Sequence, residues 1–180
     1  LEQIWADICG AEAALFRSQF VSGTHALATV LFGILRPGDE LLAVTGAPYD
    51  TMQTVIGHPK PTPGSLTEWG ISYRELPMLP HGVDLDGLAK AINENTKVAL
   101  IQRSRGYSLR PPLTVRDIAD VCRAIKGIKP DCICFVDNCY GEFVETVEPT
   151  AVGADIMAGS LIKNPGGGLA PTGGYIAGKA

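Results

Sequence analysis

Short apolar runs of strand length alternate along the chain with longer stretches of helical pattern, and glycine, proline or polar residues separate them. Several runs, such as ALFRSQF, VALIQ and CICFVD, are nearly continuous in apolar residues, which predicts central strands covered on both faces. Seven strands are predicted in all, at Ala13–Phe16, Glu40–Val44, Ile71–Leu76, Val98–Gln102, Cys132–Val136, Ile156–Ser160 and Gly174–Ala177.

Four helices are predicted between these strands, at Thr24–Leu35, Asp50–Ile56, Asp84–Asn93 and Thr114–Ile125, with Thr114 as the cap of the last. This alternation predicts an α/β fold of three layers, α-β-α, around a mostly parallel seven-stranded sheet. Only the loop NPGGGLAPTG separates the last two strands, which is too short for a helical crossover. The last strand is therefore predicted to run antiparallel.

The composition indicates a globular protein without strongly charged partners. Of the 180 residues, 46% are hydrophobic and 19% are charged, which is enough apolar surface for a sizeable core. The 15 basic and 19 acidic side chains leave a net charge of −4, so no nucleic-acid partner is expected. No apolar run approaches the roughly 18 residues of a membrane-spanning helix. We therefore expect no membrane partner and a cytoplasmic location.

No metal site is predicted. The five cysteines form no Cys-x-x-Cys pair, and the three histidines lie far apart in sequence. Reduced, mostly buried thiols are the expected state of the cysteines. The chain opens on Leu1 inside a helix-like stretch and stops just after a strand-like run, so we expect residues 1–180 to be one domain of a longer protein.

Candidate binding residues follow the predicted strands, because ligands of such sheets bind outside the carboxyl ends of the strands. Ser22, Gly23 and Thr24 lie between a strand and a helix, where free N–H groups and two hydroxyls can bind an anion. The same three residues also fit an ordinary helix cap. Tyr49 could lay its ring on a planar ligand, or it could be a partly buried surface tyrosine.

Charged residues at other strand ends suggest chemistry. Asp137 ends the apolar run CICFVD, where a buried carboxylate would need a cationic partner such as a cofactor's ring nitrogen. Alternatively, Asp137 only caps the turn that follows. Lys163 lies beside a run of glycines. Its amine can form a Schiff base with an aldehyde if its surroundings lower its pKa. The alternative is a solvated lysine in a loop. In the stretch RSRGYSLR, a cation for a phosphate or a carboxylate could come from Arg103, Arg105 or Arg110. The stretch could equally be a solvated loop.

The combination of these features is more specific than any one of them. An anion-binding helix start, an aromatic residue, a strand-end Asp and a strand-end Lys, in that order, are what pyridoxal phosphate needs. The segments SGTHAL, APYDT, FVDNCYGEF and GSLIKNPGGG with APTGGYIAGK resemble fold-type I pyridoxal-phosphate enzymes of the aspartate aminotransferase superfamily. More closely, they resemble the cystathionine/methionine γ-lyase-related proteins described as aluminium-resistance proteins.

The resemblance implies a role for each candidate. It makes Lys163 the lysine of the internal aldimine, Asp137 the partner of the pyridine nitrogen and Tyr49 the aromatic residue that stacks on the ring. The phosphate would be bound by the loop and the serine that match the family's phosphate site, namely Ser22, Gly23, Thr24 and Ser160.

Two positions depart from the family pattern. Ile162 stands where many γ-lyases carry a hydroxyl residue, so the phosphate site has lost one donor. The Asn-Pro element that faces the cofactor's phenolic oxygen is also missing. The segment RSRGYS occupies that region and leaves Arg103 and Ser104 in its place.

These features predict a pyridoxal-phosphate-dependent carbon–sulfur lyase that acts on a sulfur amino acid such as cystathionine or methionine. An aminotransferase or decarboxylase on the same fold is the alternative, and a non-catalytic nucleotide- or phosphate-binding domain is a further one. The resemblance also implies a homodimer or homotetramer. It implies that residues 1–180 are the large cofactor-binding domain, and that a small C-terminal domain outside them supplies the arginine for the substrate carboxylate.

Overall fold

A seven-stranded sheet forms the centre of the computed structural model, which describes all 180 residues. Its strands are β1 (Ala13–Arg17), β2 (Glu40–Ala43), β3 (Ser72–Glu75), β4 (Thr96–Gln102), β5 (Ile133–Asp137), β6 (Ile156–Ser160) and β7 (Gly174–Gly178). The helices are α1 (Glu2–Cys9), α2 (Gly23–Ile34), α3 (Asp50–Ile56), α4 (Leu85–Ala91) and α5 (Val115–Ile128), with a 3₁₀ turn at Pro149–Val152.

The order of the strands across the sheet is β1-β7-β6-β5-β4-β2-β3. Strand β7 runs antiparallel to both of its neighbours, and all other pairs are parallel. The predicted fold class, strand number and single antiparallel strand are therefore confirmed. The short loop between β6 and β7 has the effect expected from its length, because a parallel return needs a longer crossover.

One prediction about the strands is wrong. The run ALFRSQF contains β1, which pairs only with β7 and forms an edge of the sheet, not its centre. Exposed and half-buried residues alternate along β1, and Leu15 is 41% exposed. The helix-like opening of the chain ends at Cys9, because Gly10 takes the left-handed conformation that closes a helix.

Two apolar layers pack on the sheet. Helices α1, α4 and α5 share one cluster of buried side chains with one face of the sheet, and α2 and α3 share a second cluster with the other face. Strands β4 and β5 contribute to both clusters, with Ile101 and Val136 on one face and Leu100 and Phe135 on the other. This arrangement explains why VALIQ and CICFVD contain no alternation of polar residues.

Local capping sets where the two longest helices begin. The Ser22 hydroxyl accepts a hydrogen bond from the N–H of His25 at 3.1 Å, at the start of α2. Thr114 and Asp117 form a reciprocal capping box at the start of α5. The longest helix, α5, has 14 residues, and no helix combines the length and apolar character needed to cross a membrane.

Candidate active site

A cavity of about 770 Å³ opens at the carboxyl ends of the parallel strands. It brings together three residues that the sequence analysis predicts, Tyr49, Asp137 and Lys163. The register of the sheet places Asp137 at the end of β5, opposite Gln102 of β4 and Ala158 of β6. The volume lies within the range of small-molecule sites.

The Asp137 carboxylate is buried, with the residue 4% exposed, and it lines the cavity. Its Oδ1 accepts a hydrogen bond from the N–H of Cys139 at 3.1 Å. Burial raises the pKa of Asp137, and its contacts with Cys139 and the charge of Lys163 offset this rise only in part. No Lys, Arg or His nitrogen lies within 4 Å of this carboxyl group, so a cationic group entering the cavity would find a buried partner and would favour its ionised form.

The Lys163 amine lies on the same cavity, 4.3 Å from the centre of the Tyr140 ring. Burial lowers the pKa of Lys163, but contact with Cys139 and the charge of Asp137 outweigh burial, and the net shift is upward. The lowered pKa that a nucleophilic lysine needs is thus not present here, because Cys139 and then Asp137 outweigh the effect of burial on the amine. The Cys139 thiol itself stays neutral, since burial raises its pKa far above the usual value.

Tyr49 connects the cavity to the start of α2. Its hydroxyl forms a 2.9 Å hydrogen bond with Thr24 Oγ1, and its N–H donates to Gln102 Oε1 at 3.1 Å. Burial, followed by the charge of Asp137, raises the pKa of Tyr49, so the phenol is neutral. These contacts hold the ring at the cavity wall, where a planar ligand could stack on it.

The predicted phosphate residues lie together, beside this cavity. Gly23 packs so closely on β6 that a Cβ at this position would lie 2.9 Å from the Cβ of Ser160. Ser160 is buried, and its hydroxyl accepts weakly from the N–H of Ile162 at 3.4 Å. Ser22 uses its hydroxyl as the helix cap, so the cap interpretation holds for this residue. None of these residues, nor Thr24, is part of the cavity wall that Lys163 lines.

The arginine-rich segment after β4 is not a uniformly solvated loop. Arg103 is 3% exposed, and its guanidinium donates to Glu145 Oε1 at 2.8 Å, to Asn138 Oδ1 at 2.8 Å and to Glu148 Oε2 at 3.4 Å. Arg103 and Ser104 both line the cavity, and each of the three guanidinium nitrogens of Arg103 already donates to a protein acceptor. Sequence reasoning could not find these pairs, since the acidic partners follow some forty residues later.

A buried polar network below the site was also missed. Tyr175 donates to Glu142 Oε1 at 2.8 Å, and Asn138 Nδ2 contacts both the Tyr175 hydroxyl at 3.2 Å and Glu148 Oε2 at 2.9 Å. Glu142 is 1% exposed, and its second oxygen has no hydrogen-bond partner. Burial raises the pKa of Glu142 to about 7. The only signal in the sequence is a glutamate inside the apolar stretch YGEFV.

Two comparisons with known proteins bear on this site. A family model described as methionine gamma-lyase matches residues 1–180. The chain belongs to the methionine γ-lyase family. Among curated relatives, the uncharacterized protein YnbB of Bacillus subtilis is 55% identical over 182 residues, which are 100% of this chain and 43% of YnbB.

Two solved structures are similar to this chain over nearly its whole length. A Listeria monocytogenes protein, provisionally described as a cystathionine β-lyase involved in aluminium resistance, is 57% identical with a TM-score of 0.95 over 99% of this chain and 44% of that one. A carbon–sulfur lyase involved in aluminium resistance from Clostridium novyi NT is 48% identical with a TM-score of 0.94, over 99% of this chain and 43% of that one. The chain therefore spans less than half the length of the relatives it matches.

Proposed function

We propose that this chain forms the cofactor-binding part of a pyridoxal-phosphate-dependent carbon–sulfur lyase acting on a sulfur amino acid. The observation that carries the proposal is the meeting of Tyr49, Asp137 and Lys163 on one cavity at the carboxyl ends of the strands. The name of the Clostridium novyi relative supports the class of reaction. The match to the methionine gamma-lyase model supports a sulfur amino acid as substrate.

The residues present fit the cofactor. Asp137 is a buried carboxylate on the cavity wall without a cation against it, which suits a protonated ring nitrogen. Gly23 allows the start of α2 to lie directly on Ser160, and N–H groups at a helix start suit a phosphate. The Tyr49 ring lies on the wall between these two places and is held by Thr24. A cation bound to Asp137 would also reduce the upward pull of this carboxylate on the pKa of Lys163.

Each residue then has a defined task. When bound, the cofactor supplies an electron-withdrawing ring that stabilises negative charge on the substrate's Cα. Asp137 would hold the proton on the ring nitrogen. The Lys163 amine would anchor the cofactor and would act as the base that moves protons to and from the substrate's Cα. Tyr49 would hold the ring in its plane. Loss of the thiol leaves an unsaturated amine that water converts to a keto acid and ammonia.

The first experiment locates the lysine. Borohydride treatment of the cofactor-loaded full-length protein, followed by peptide mass spectrometry, should find the cofactor on the peptide that contains Lys163. Lys163→Ala should abolish this labelling. Lys179→Ala is the matched control, because β7 runs antiparallel and places Lys179 at the amino ends of the parallel strands, away from the cavity, where it pairs with Asp155. Labelling that survives in Lys163→Ala would overturn the assignment.

The second experiment identifies the reaction. The full-length protein incubated with cystathionine or methionine should release thiol, ammonia and keto acid in equal amounts. Release of carbon dioxide, or transfer of the amino group to an added keto acid without thiol release, would show a decarboxylase or an aminotransferase instead.

A further inference from the structure

The segment from Gln102 to Arg110 contains three arginines, and the structure gives them different tasks. Arg103 is buried and held by Glu145, Glu148 and Asn138, as described above. It anchors the start of the segment to the residues that follow β5. This anchor is a charge-assisted set of contacts out of water, so it holds the segment firmly.

Arg110 ties the other end of the segment. Its guanidinium donates to the carbonyl of Gln102 at 2.7 Å and also to the carbonyl of Ser104. Burial lowers the pKa of Arg110, whose guanidinium also donates to the carbonyl of Pro111 at 3.0 Å. Gln102 Nε2 adds a bond to the carbonyl of Ser104 at 3.2 Å, and Gly106 takes a positive φ of 58° where the chain turns back. The segment is thus closed on itself by its own side chains.

Arg105 lies between these two anchors, and its side chain forms no hydrogen bond or ion pair. It is exposed and lines the same cavity as Lys163 and Asp137. It also borders a second cavity of about 540 Å³ but pairs with neither Asp50 nor Glu75 there. The segment therefore presents one uncommitted guanidinium to the site.

The charges of the cavity wall leave Arg105 unbalanced. The wall carries the cations Arg103, Arg105 and Lys163 but only two carboxylates, Asp137 and Glu145, and Glu145 is paired with Arg103. A guanidinium with no partner on the wall of a cavity favours an anionic ligand, and its planar donors match a carboxylate. The residues proposed for the phosphate, at the start of α2 and Ser160, do not lie on the wall that Arg105 lines, so the phosphate would leave Arg105 free.

We propose that Arg105 is a specificity-determining residue that binds a second carboxylate of the substrate, beyond its sulfur atom. The inference rests on the proposed function and deepens it: the substrate class becomes thioether amino acids with two carboxylates. Arg105 is exposed whereas Asp137 is buried, so the guanidinium lies at the outer part of the cavity. The amine end of the substrate is bound deep, at Lys163, and its far end meets Arg105.

The test compares two thioether amino acids that differ only at the far end, S-(2-carboxyethyl)-L-cysteine and S-propyl-L-cysteine. We expect the full-length protein to cleave the carboxylate compound with the higher kcat/KM. Arg105→Gln should lower kcat/KM for that compound by about 10- to 100-fold, mainly through KM, and leave the propyl compound unchanged. Arg105→Lys should restore part of the preference, since it keeps the charge but not the paired donors. Arg123→Gln, a remote exposed arginine on α5, is the control for which we expect no change.

A second readout does not depend on turnover. Phenylglyoxal should modify Arg105, as mapped by peptide mass spectrometry, and S-(2-carboxyethyl)-L-cysteine should protect it whereas S-propyl-L-cysteine should not. Protection without cleavage of either compound would keep the Arg105 assignment and refute the lyase function. Cleavage with no preference, or equal losses on both compounds in Arg105→Gln, would refute the Arg105 assignment and keep the lyase function.

Discussion

Replacing Glu142 by Gln should change how the stability of the protein depends on pH. Glu142 is buried and receives one hydrogen bond, from Tyr175. The other titratable groups that influence it are acidic, Asp137 and Glu148, and no cation contacts it. The neutral acid is therefore favoured in the folded protein, and its pKa rises from 4.5 to about 7.

The size of the effect follows from this shift. A group whose folded pKa exceeds its unfolded pKa contributes its full stability below the unfolded value, loses it as pH rises between the two values, and gains nothing back above the folded value. From 4.5 to about 7, at about 1.4 kcal/mol per pKa unit, the cost of ionising Glu142 reaches about 3 kcal/mol above neutral pH. Gln carries no charge at any pH and can still accept from Tyr175.

The assay is urea unfolding of the protein and of Glu142→Gln at pH 5 and at pH 8. The variant should gain stability relative to the parent by about 2 to 3 kcal/mol on going from pH 5 to pH 8. Glu94→Gln, at an exposed loop position, is the control and should show no such gain. An equal pH dependence in parent and Glu142→Gln would refute the reasoning, because it would mean that Glu142 titrates alike in the folded and unfolded chains.

Three further changes test the site and its scaffold. Asp137→Asn should keep part of the cofactor binding but lower kcat about a hundredfold or more, since an amide cannot hold the ring-nitrogen proton; unchanged turnover in a kinetic assay would exclude that role. Gly23→Ala should weaken cofactor binding in a fluorescence titration, because its Cβ would lie 2.9 Å from the Cβ of Ser160, whereas Gly33→Ala on the same helix meets no atom within 4 Å and should bind normally. Thr114→Ala should lower the free energy of unfolding by about 1 kcal/mol, measured by thermal unfolding, because the cap of α5 is lost. A smaller decrease in this free energy would show that Asp117 alone is enough to cap the helix.

Periodicity predicted most of the architecture because the parallel strands are short, apolar and covered on both faces. The antiparallel β7 was predictable from the length of one loop. The edge position of β1 was not, since ALFRSQF is compatible with either place in the sheet, and only its pairing with β7 decides between them. Periodicity describes the burial of a strand, whereas the order of strands depends on contacts between distant parts of the chain.

The candidate site was also predictable only in part. Tyr49, Asp137 and Lys163 could be placed at strand ends from the sequence, and the structure brings them to one cavity. Arg103 and Arg105 could not be distinguished from the sequence, although Arg103 is buried among acidic residues that follow β5 and Arg105 is exposed. Strand ends can be located from local pattern, but the pairing of charges across the fold cannot.

The pairing of β1 with β7 also has a consequence for the order of folding. The residues that pair, from Ala13 with Gly178 to Arg17 with Gly174, are separated by nearly the whole chain. During synthesis β1 emerges before β7, so β1 has no strand to pair with until β7 has been made. Contacts between such distant segments form late, because closing a long loop costs entropy before it brings any gain. Although β1 precedes the other six strands of this sheet in the sequence, it is therefore the last of them to enter the sheet, and the apolar side chain of Phe16, which packs on the core in the folded chain, stays available to chaperones or to other nascent chains until then.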